Sequence, residues 1–328
     1  MNDVLLSVRD LVVEFPKRDK VLTALDHINL EVRRGEILGM VGESGAGKSL
    51  TGAAIIGLLE PPGRIAHGEI VLDGQRIDNL PYGQMRRIRG RKIGMVFQDP
   101  LTSLNPILTI AEQLIETIRT HLPMNEKQAR ERAVELLEEV GIPAARRRLD
   151  DYPHHFSGGM RQRVVIALAL AGEPDLIIAD EPTTALDVSV QAQIIDVLKR
   201  LCRDRGASVI LVTHDMGVIA EAADRVAVLY AGRVAEIGPV RQVVKDPSHP
   251  YTVGLMGSIP SVVHDIDRLT QIPGSMPRLD NIPQGCAFNP RCSQVHDRCY
   301  RDRPNLIAVE SKPDNQVACW LFDERASS

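Results

Sequence analysis

The chain has 328 residues, 44% of them hydrophobic and 25% charged, with a formal net charge of -4. That is globular composition, long enough for a large core and for two domains. It lacks the global basic field that marks nucleic acid as the main partner, and no apolar run reaches the roughly 18 residues that cross a bilayer.

The first residues, Met1, Asn2, Asp3 and Val4, lack a basic stretch followed by a long apolar one, so no secretory signal is expected and the chain is read as cytosolic. Residues 4–41 alternate apolar and polar positions between Gly and charged turns, and are read as three strands. Phe15 ends the first of them. Aromatics are only 3% of the chain, which makes Phe15 either a platform for adenine stacking or an ordinary core residue. The apolar run 37–41 reads as a buried strand and 50–59 as a helix. Between them stand Gly42, Glu43, Ser44, Gly45, Ala46, Gly47, Lys48 and Ser49.

Residues 69–73 read as a further strand closed by an Asp73-Gly74 turn. Arg86, Arg87, Arg89, Arg91 and Lys92 read as a solvated face. A buried strand over 93–97 leads directly into Gln98. Residues 106–172 contain no strand-like run and are expected to be helical, with Asn125 and Gln128 as a capping box. Ala129, Ala133, Leu136, Leu137 and Val140 then share one helix face, and Gly141 stops the helix. A short apolar strand over 176–179 closes on Asp180, Glu181 and Pro182. A helix over 189–204 and a strand over 208–213 follow, with His214 at the strand end. Strand, helix and strand joined by short links predict a parallel sheet with ligands at the carboxyl ends of its strands. Gln98, Asp180 and His214 all lie just past such ends. Runs at 226–230 and 234–237 read as a hairpin. Beyond Gly238 prolines accumulate and regular patterning fades. The expected division is a domain over 1–240, with a helical insertion at about 100–172, and an extension over 241–328 that needs staples to hold its shape.

Gly42 to Ser49 fits G-x-x-x-x-G-K-[ST] in the strand–turn–helix context in which that pattern cradles phosphate. Glycines let successive backbone N–H groups face a polyphosphate, and the helix N-terminus adds positive partial charge. Lys48 can reach the β- and γ-phosphates, and the Ser49 hydroxyl can bind Mg²⁺. Asp180 is suited to the Mg²⁺ shell and Glu181 to polarising a water for in-line attack. His214 is suited to hydrogen bonding with the γ-phosphate and that water. Phe156, Ser157, Gly158, Gly159 and Met160 open a second helix, with Ser157 as an N-cap hydroxyl.

Gly42 to Ser49, Gln98, Ser157-Gly158-Gly159, the 176–181 run, Ala185-Leu186-Asp187 and His214 occur in an order that resembles the ATP-binding-cassette ATPases. They look like the phosphate loop, Q-loop, signature, Walker B, D-loop and H-loop over about residues 4–240. The resemblance implies an α/β fold with a parallel-sheet phosphate-loop core, an N-terminal antiparallel β subdomain and a helical subdomain. It implies head-to-tail cassette dimers, in which Ser157, Gly158 and Gly159 act on the partner's ATP and Asp187 lines the interface. Gln98 would sense Mg²⁺ and nucleotide and signal to the helical insertion, which docks on membrane subunits. The signature departs from the commonest form at Met160, where Gln is usual, and at Phe156, where Leu is usual.

His249-Pro250-Tyr251-Thr252, Ile272-Pro273-Gly274 and the 285–292 stretch, with Cys286, Phe288, Asn289, Pro290, Arg291 and Cys292, resemble the extension of oligopeptide and dipeptide importer ATPases. Relatives of that group also carry nickel or other small solutes, so the alternatives to a peptide importer are an importer ATPase for such a solute or a soluble cassette ATPase. The resemblance implies a homologous second ATPase, two membrane permease subunits and an extracytoplasmic solute-binding protein, with this chain peripheral on the cytoplasmic face of the membrane. Four of the five cysteines, Cys286, Cys292, Cys299 and Cys319, fall in the last 43 residues. In a reducing compartment such a group suggests metal before disulfides, and four thiolates suit an iron–sulfur cluster or zinc. No pair has C-x-x-C spacing. The resemblance to peptide importers implies a 4Fe-4S cluster, with zinc and unligated thiols as the alternatives. Arg291, Arg298, Arg301 and Arg303 would neutralise an anionic cluster or form a solvated face.

Overall fold

A computed structural model describes residues 3–184, 187–258 and 271–323. These fall into two compact units. The first is built from residues up to 5, Val32–Ile37 and Asn79–Val212; the second from Leu6–Glu31, Leu38–Asp78 and the residues from Thr213 onward.

In the first unit three strands run parallel. Ile93–Val96 pairs with Leu176–Asp180, which pairs in turn with Ser208–Val212. Every residue of the last two strands is buried. Burial on both faces explains why these strands are unbroken apolar runs rather than alternating ones. Between Val96 and Leu176 the described residues hold helices and turns and no strand. The principal helices there are Ile110–His121, Glu126–Glu139 and Gly158–Leu170. Ala129, Ala133, Leu136 and Leu137 form the buried face of the second. The Asn125 carboxamide accepts the Gln128 N–H at 3.0 Å, and Gln128 Oε1 accepts the Asn125 N–H at 3.0 Å, the capping box the sequence announces. Thr109 and Glu112 make a second box that sequence reading misses.

An antiparallel sheet runs in the order Val21–Arg33, Val4–Pro16, Arg64–Leu72, Gln75–Arg76. Leu6 faces Leu72 and Val8 faces Ile70 across its central pair. The Arg64–Leu72 strand begins five residues earlier than its apolar pattern indicates. Ile37–Val41 runs parallel to Arg225–Tyr230, with Met40 opposite Ala227. Arg225–Tyr230 then turns through Ala231 and Gly232 into Arg233–Pro239, the expected hairpin.

The extension departs from expectation. It is not an irregular appendage waiting for staples. Lys312–Val317 adds to the hairpin as a further antiparallel strand, with Glu236 opposite Val317, and Ile307–Val309 adds outside it. Glu236, fully buried, accepts the N–H groups of Ser248 and His249 at 2.9 Å each and the Asn315 side-chain N–H at 3.0 Å. A buried carboxylate needs such donors to offset its desolvation, and here the extension supplies all three. Among the described residues, no helix is long and apolar enough to cross a membrane.

Candidate nucleotide site

The glycine-rich loop lies in the second unit, between the fully buried Ile37–Val41 strand and the Lys48–Ile55 helix. Two of its glycines are required by geometry. Gly42 has φ +151°, and a Cβ there would sit 2.3 Å from the Leu229 carbonyl oxygen. Gly47, the helix N-cap, has φ +103° and ψ 4°, a left-handed conformation that costs any residue with a Cβ. Ser44, Gly45 and Ser49 are exposed at the mouth of the loop, while Ala46 is buried and tied through its carbonyl to the Gly232 N–H at 3.0 Å. The Lys48 side chain is only 5% exposed and is folded into the loop. Its Nζ donates to the Gly42 carbonyl at 2.8 Å and the Glu43 carbonyl at 3.1 Å. Loop carbonyls thus hold the ammonium within a loop whose Ser44, Gly45 and Ser49 are exposed, an arrangement suited to phosphate.

The carboxylates lie in the first unit. Asp180 ends the Leu176–Asp180 strand and is 8% exposed. Glu181 follows with φ 47°, a left-handed conformation that costs a non-glycine residue about 1–3 kcal/mol. Its N–H donates to the Val212 carbonyl at 2.8 Å. Its Oε2 accepts from Gln98 Nε2 at 3.0 Å and from the Thr184 hydroxyl at 2.8 Å. Two donors therefore orient the carboxylate expected to act as base. The structure joins Gln98 to Glu181 directly, a pairing that 83 residues of separation conceal in the sequence.

Ser157 caps the Gly158–Leu170 helix, its hydroxyl accepting the Met160 N–H at 3.3 Å. Gly158 has open space around it, whereas a Cβ on Gly159 would meet Val190 Cγ1 at 2.6 Å. The two glycines therefore differ: Gly158 stands open, whereas Gly159 lets two helices approach. Asp187 is the exposed N-cap position of the Val188–Arg205 helix. Ala185 and Leu186, the rest of the expected D-loop, lie outside the described residues. In the second unit His214 is exposed in the turn after Thr213, and the Thr213 N–H donates to the Met40 carbonyl at 3.1 Å. That bond ties the His214 turn to the strand that feeds the phosphate loop. Phe15, also in this unit, is half-buried, with its ring edge against Gly63.

Residues 25–184 match the family described as ABC transporter. The chain is 45% identical over 324 residues to the oligopeptide transport ATP-binding protein AppD of Bacillus subtilis, covering 98% of each. This chain belongs to the ABC transporter family. The oligopeptide transport ATP-binding protein OppD of the same organism is 46% identical over 320 residues, spanning 97% of this ABC ATPase and 89% of OppD. Among solved structures, the dimeric post-hydrolysis ATP-binding cassette MJ0796 bound to ADP and Pi is 31% identical, with a TM-score of 0.66 over 72% of this chain and 99% of that one. Residues 235–299 match the oligopeptide/dipeptide transporter C-terminal region.

The four tail cysteines of this ABC ATPase do not form the site expected of them. Among the described residues, no group of three or more His, Cys, Asp or Glu side chains is arranged to hold a metal ion. None of the four is in a disulfide. Burial pushes the Cys286 thiol up to about 11 and the Cys319 thiol up to about 12, and the neighbouring cysteines add to both shifts. Of the surrounding arginines, Arg298 pairs with Asp302 and Asp323 and lies 3.5 Å from the Trp320 ring centroid, and Arg303 pairs with Asp26. These two serve the packing of the extension.

Proposed function

We propose that this ABC ATPase powers the import of di- and oligopeptides through membrane subunits that it does not itself contain. One observation carries the reading. A cassette at 25–184 and a peptide-transporter-type region at 235–299 occur in one chain, which matches an oligopeptide transport ATP-binding protein over nearly its full length.

In this reading the loop N–H groups beyond Glu43, up to Ser49, and the Lys48 ammonium bind the β- and γ-phosphates of ATP. Ser49, Asp180 and Gln98 serve the Mg²⁺, Glu181 polarises the attacking water, and His214 bonds to the γ-phosphate. Phe15 stacks on adenine. Ser157, Gly158 and Gly159 close on the ATP of a facing cassette, with Asp187 at the interface. Two donors on the Glu181 carboxylate support the base role, because an oriented base loses less freedom at the moment of proton transfer. A homologous second ATPase, two permease subunits and an extracytoplasmic solute-binding protein complete the assembly, which holds this chain on the cytoplasmic face of the membrane. The cassette spans 1–240 and the peptide-importer extension 241–328.

The Glu181→Gln variant tests the catalytic assignment. Hydrolysis is expected to fall about 100-fold or more with ATP binding retained; unchanged turnover removes Glu181 from the base role. The four cysteines enter only as a proposal, with a 4Fe-4S cluster ahead of zinc. Supporting it are backbone N–H groups at Phe288, Asn289, Gln294 and Leu321 that favour thiolate at Cys286, Cys292 and Cys319, against the burial of these thiols and their mutual effect, which oppose it. Anaerobically purified protein should then be brown, with acid-labile sulfide that Cys292→Ser removes. A colourless, zinc-loaded preparation contradicts it.

A further inference from the structure

Three stretches single out the extension in the sequence: residues 249–252, 272–274 and 285–292. In the second unit they converge on one residue of the phosphate loop. Every polar group of Glu43 is held. Its N–H donates to the Tyr251 hydroxyl at 2.9 Å. Its carbonyl accepts from the Ala46 N–H at 3.1 Å and from Lys48 Nζ at 3.1 Å. Its carboxylate takes Arg291 Nη1 between its two oxygens, at 3.0 Å from Oε1 and 3.1 Å from Oε2.

The two residues that grip Glu43 are themselves fixed. Tyr251 is fully buried, and its N–H donates to His249 Nδ1 at 3.0 Å. Its ring packs 4.7 Å from the Tyr230 centroid and 5.5 Å from that of Phe288. Arg291 Nε donates to the Pro273 carbonyl at 2.8 Å. The guanidinium carbon lies 5.8 Å from the Tyr230 ring and 5.9 Å from the Phe288 ring, and the side chain is only 6% exposed. A planar cation held between aromatic rings and a carbonyl has little rotamer freedom left to lose.

We propose that the extension braces the phosphate loop, with Tyr251 and Arg291 as positioning residues that act on nucleotide binding through Glu43. The chemistry favours a role in the loop's shape over a role in general stability. The Glu43 N–H is taken by Tyr251, so it is not offered to phosphate. The N–H groups further along the loop are set by the path that the Glu43 anchor imposes. The Lys48 ammonium borrows the Glu43 carbonyl, so a shift of Glu43 moves the charge that must meet the γ-phosphate. Preorganised donors bind an anion without first being ordered, and loss of the anchor returns that cost to the ligand. The extension thereby contributes to ATP affinity from 208 and 248 residues downstream without touching the nucleotide.

The proposal rests on the cassette reading, and the experiment separates the two. Binding of trinitrophenyl-ATP with Mg²⁺ is measured on the full chain for Arg291→Ala, Tyr251→Phe, Glu43→Gln and Lys48→Ala. Arg291→Ala is expected to weaken binding about tenfold, and Tyr251→Phe, which keeps the ring and removes only the hydroxyl, about threefold. Arg291→Ala combined with Glu43→Gln should bind no more weakly than the weaker single variant, because both remove the same contact. In the assembled transporter KM for ATP should rise with kcat nearly unchanged. If Arg291→Ala and Tyr251→Phe bind like wild type while Lys48→Ala loses binding, the brace is overturned and the cassette stands. Additive losses in the double variant also overturn it. If Lys48→Ala too binds normally, the cassette reading fails first.

Discussion

At the scale of single residues, the chemistry depends on a few side chains held where their environment works against them. Glu181 sits in a left-handed backbone conformation, and its neighbours Gln98 and Thr184 direct its carboxylate. His249 is the other case. Burial pushes its imidazole down to about 4, so it stays neutral and its Nδ1 accepts the Tyr251 N–H. The unfolded chain binds a proton near the ordinary value of about 6.5, while the folded chain resists it. Stability therefore falls as pH drops below about 6.5, and the loss levels off below about 4. The full difference is on the order of 3 kcal/mol. His249→Asn keeps a side chain able to cap the Pro250–Gly257 helix and removes the proton. Its melting temperature should change less between pH 6.5 and 4 than that of wild type; an equal slope would assign the pH dependence to other groups.

At the scale of elements, the sequence is most readable where one local rule decides the outcome. The phosphate loop was legible because its glycines and Lys48 stand at fixed spacing between an apolar run and a helix. The Leu176–Asp180 strand was legible because burial on both faces leaves no polar position to blur it. Lys312–Val317 was not. It carries Pro313 and four polar or charged residues, and only Asn315 and Val317 are buried. Its place is fixed by a buried carboxylate on another strand, which no period within the segment announces. The Arg291–Glu43 pair was invisible for the same reason, since spacing rules reach a few residues and this contact spans 248. Helix packing gives a direct test. In Gly159→Ala the new methyl would meet Val190 Cγ1 at 2.6 Å, so the Val190 side chain or the Gly158–Leu170 and Val188–Arg205 helices must shift. A loss of about 1–3 kcal/mol in denaturant unfolding is expected, largely restored by Val190→Ala. No restoration would mean that the glycine serves only the ligand.

At the scale of the whole molecule, the extension is part of the cassette's second unit by strand pairing, by the Glu236 carboxylate and by the grip on Glu43. Asn315→Ala removes one of three donors to a fully buried carboxylate and should cost about 1–3 kcal/mol in unfolding. A change within a few tenths of a kcal/mol would show that water or another donor takes its place. The central claim is that ATP hydrolysis by this chain drives peptide import. Its most direct test is peptide-dependent ATP turnover by the chain reconstituted with its membrane subunits in vesicles, comparing wild type with Glu181→Gln. The expected result is turnover that rises with peptide-loaded binding protein, moves peptide across the bilayer, and is lost in the variant together with uptake. Turnover indifferent to peptide, or uptake that survives in Glu181→Gln, would contradict it.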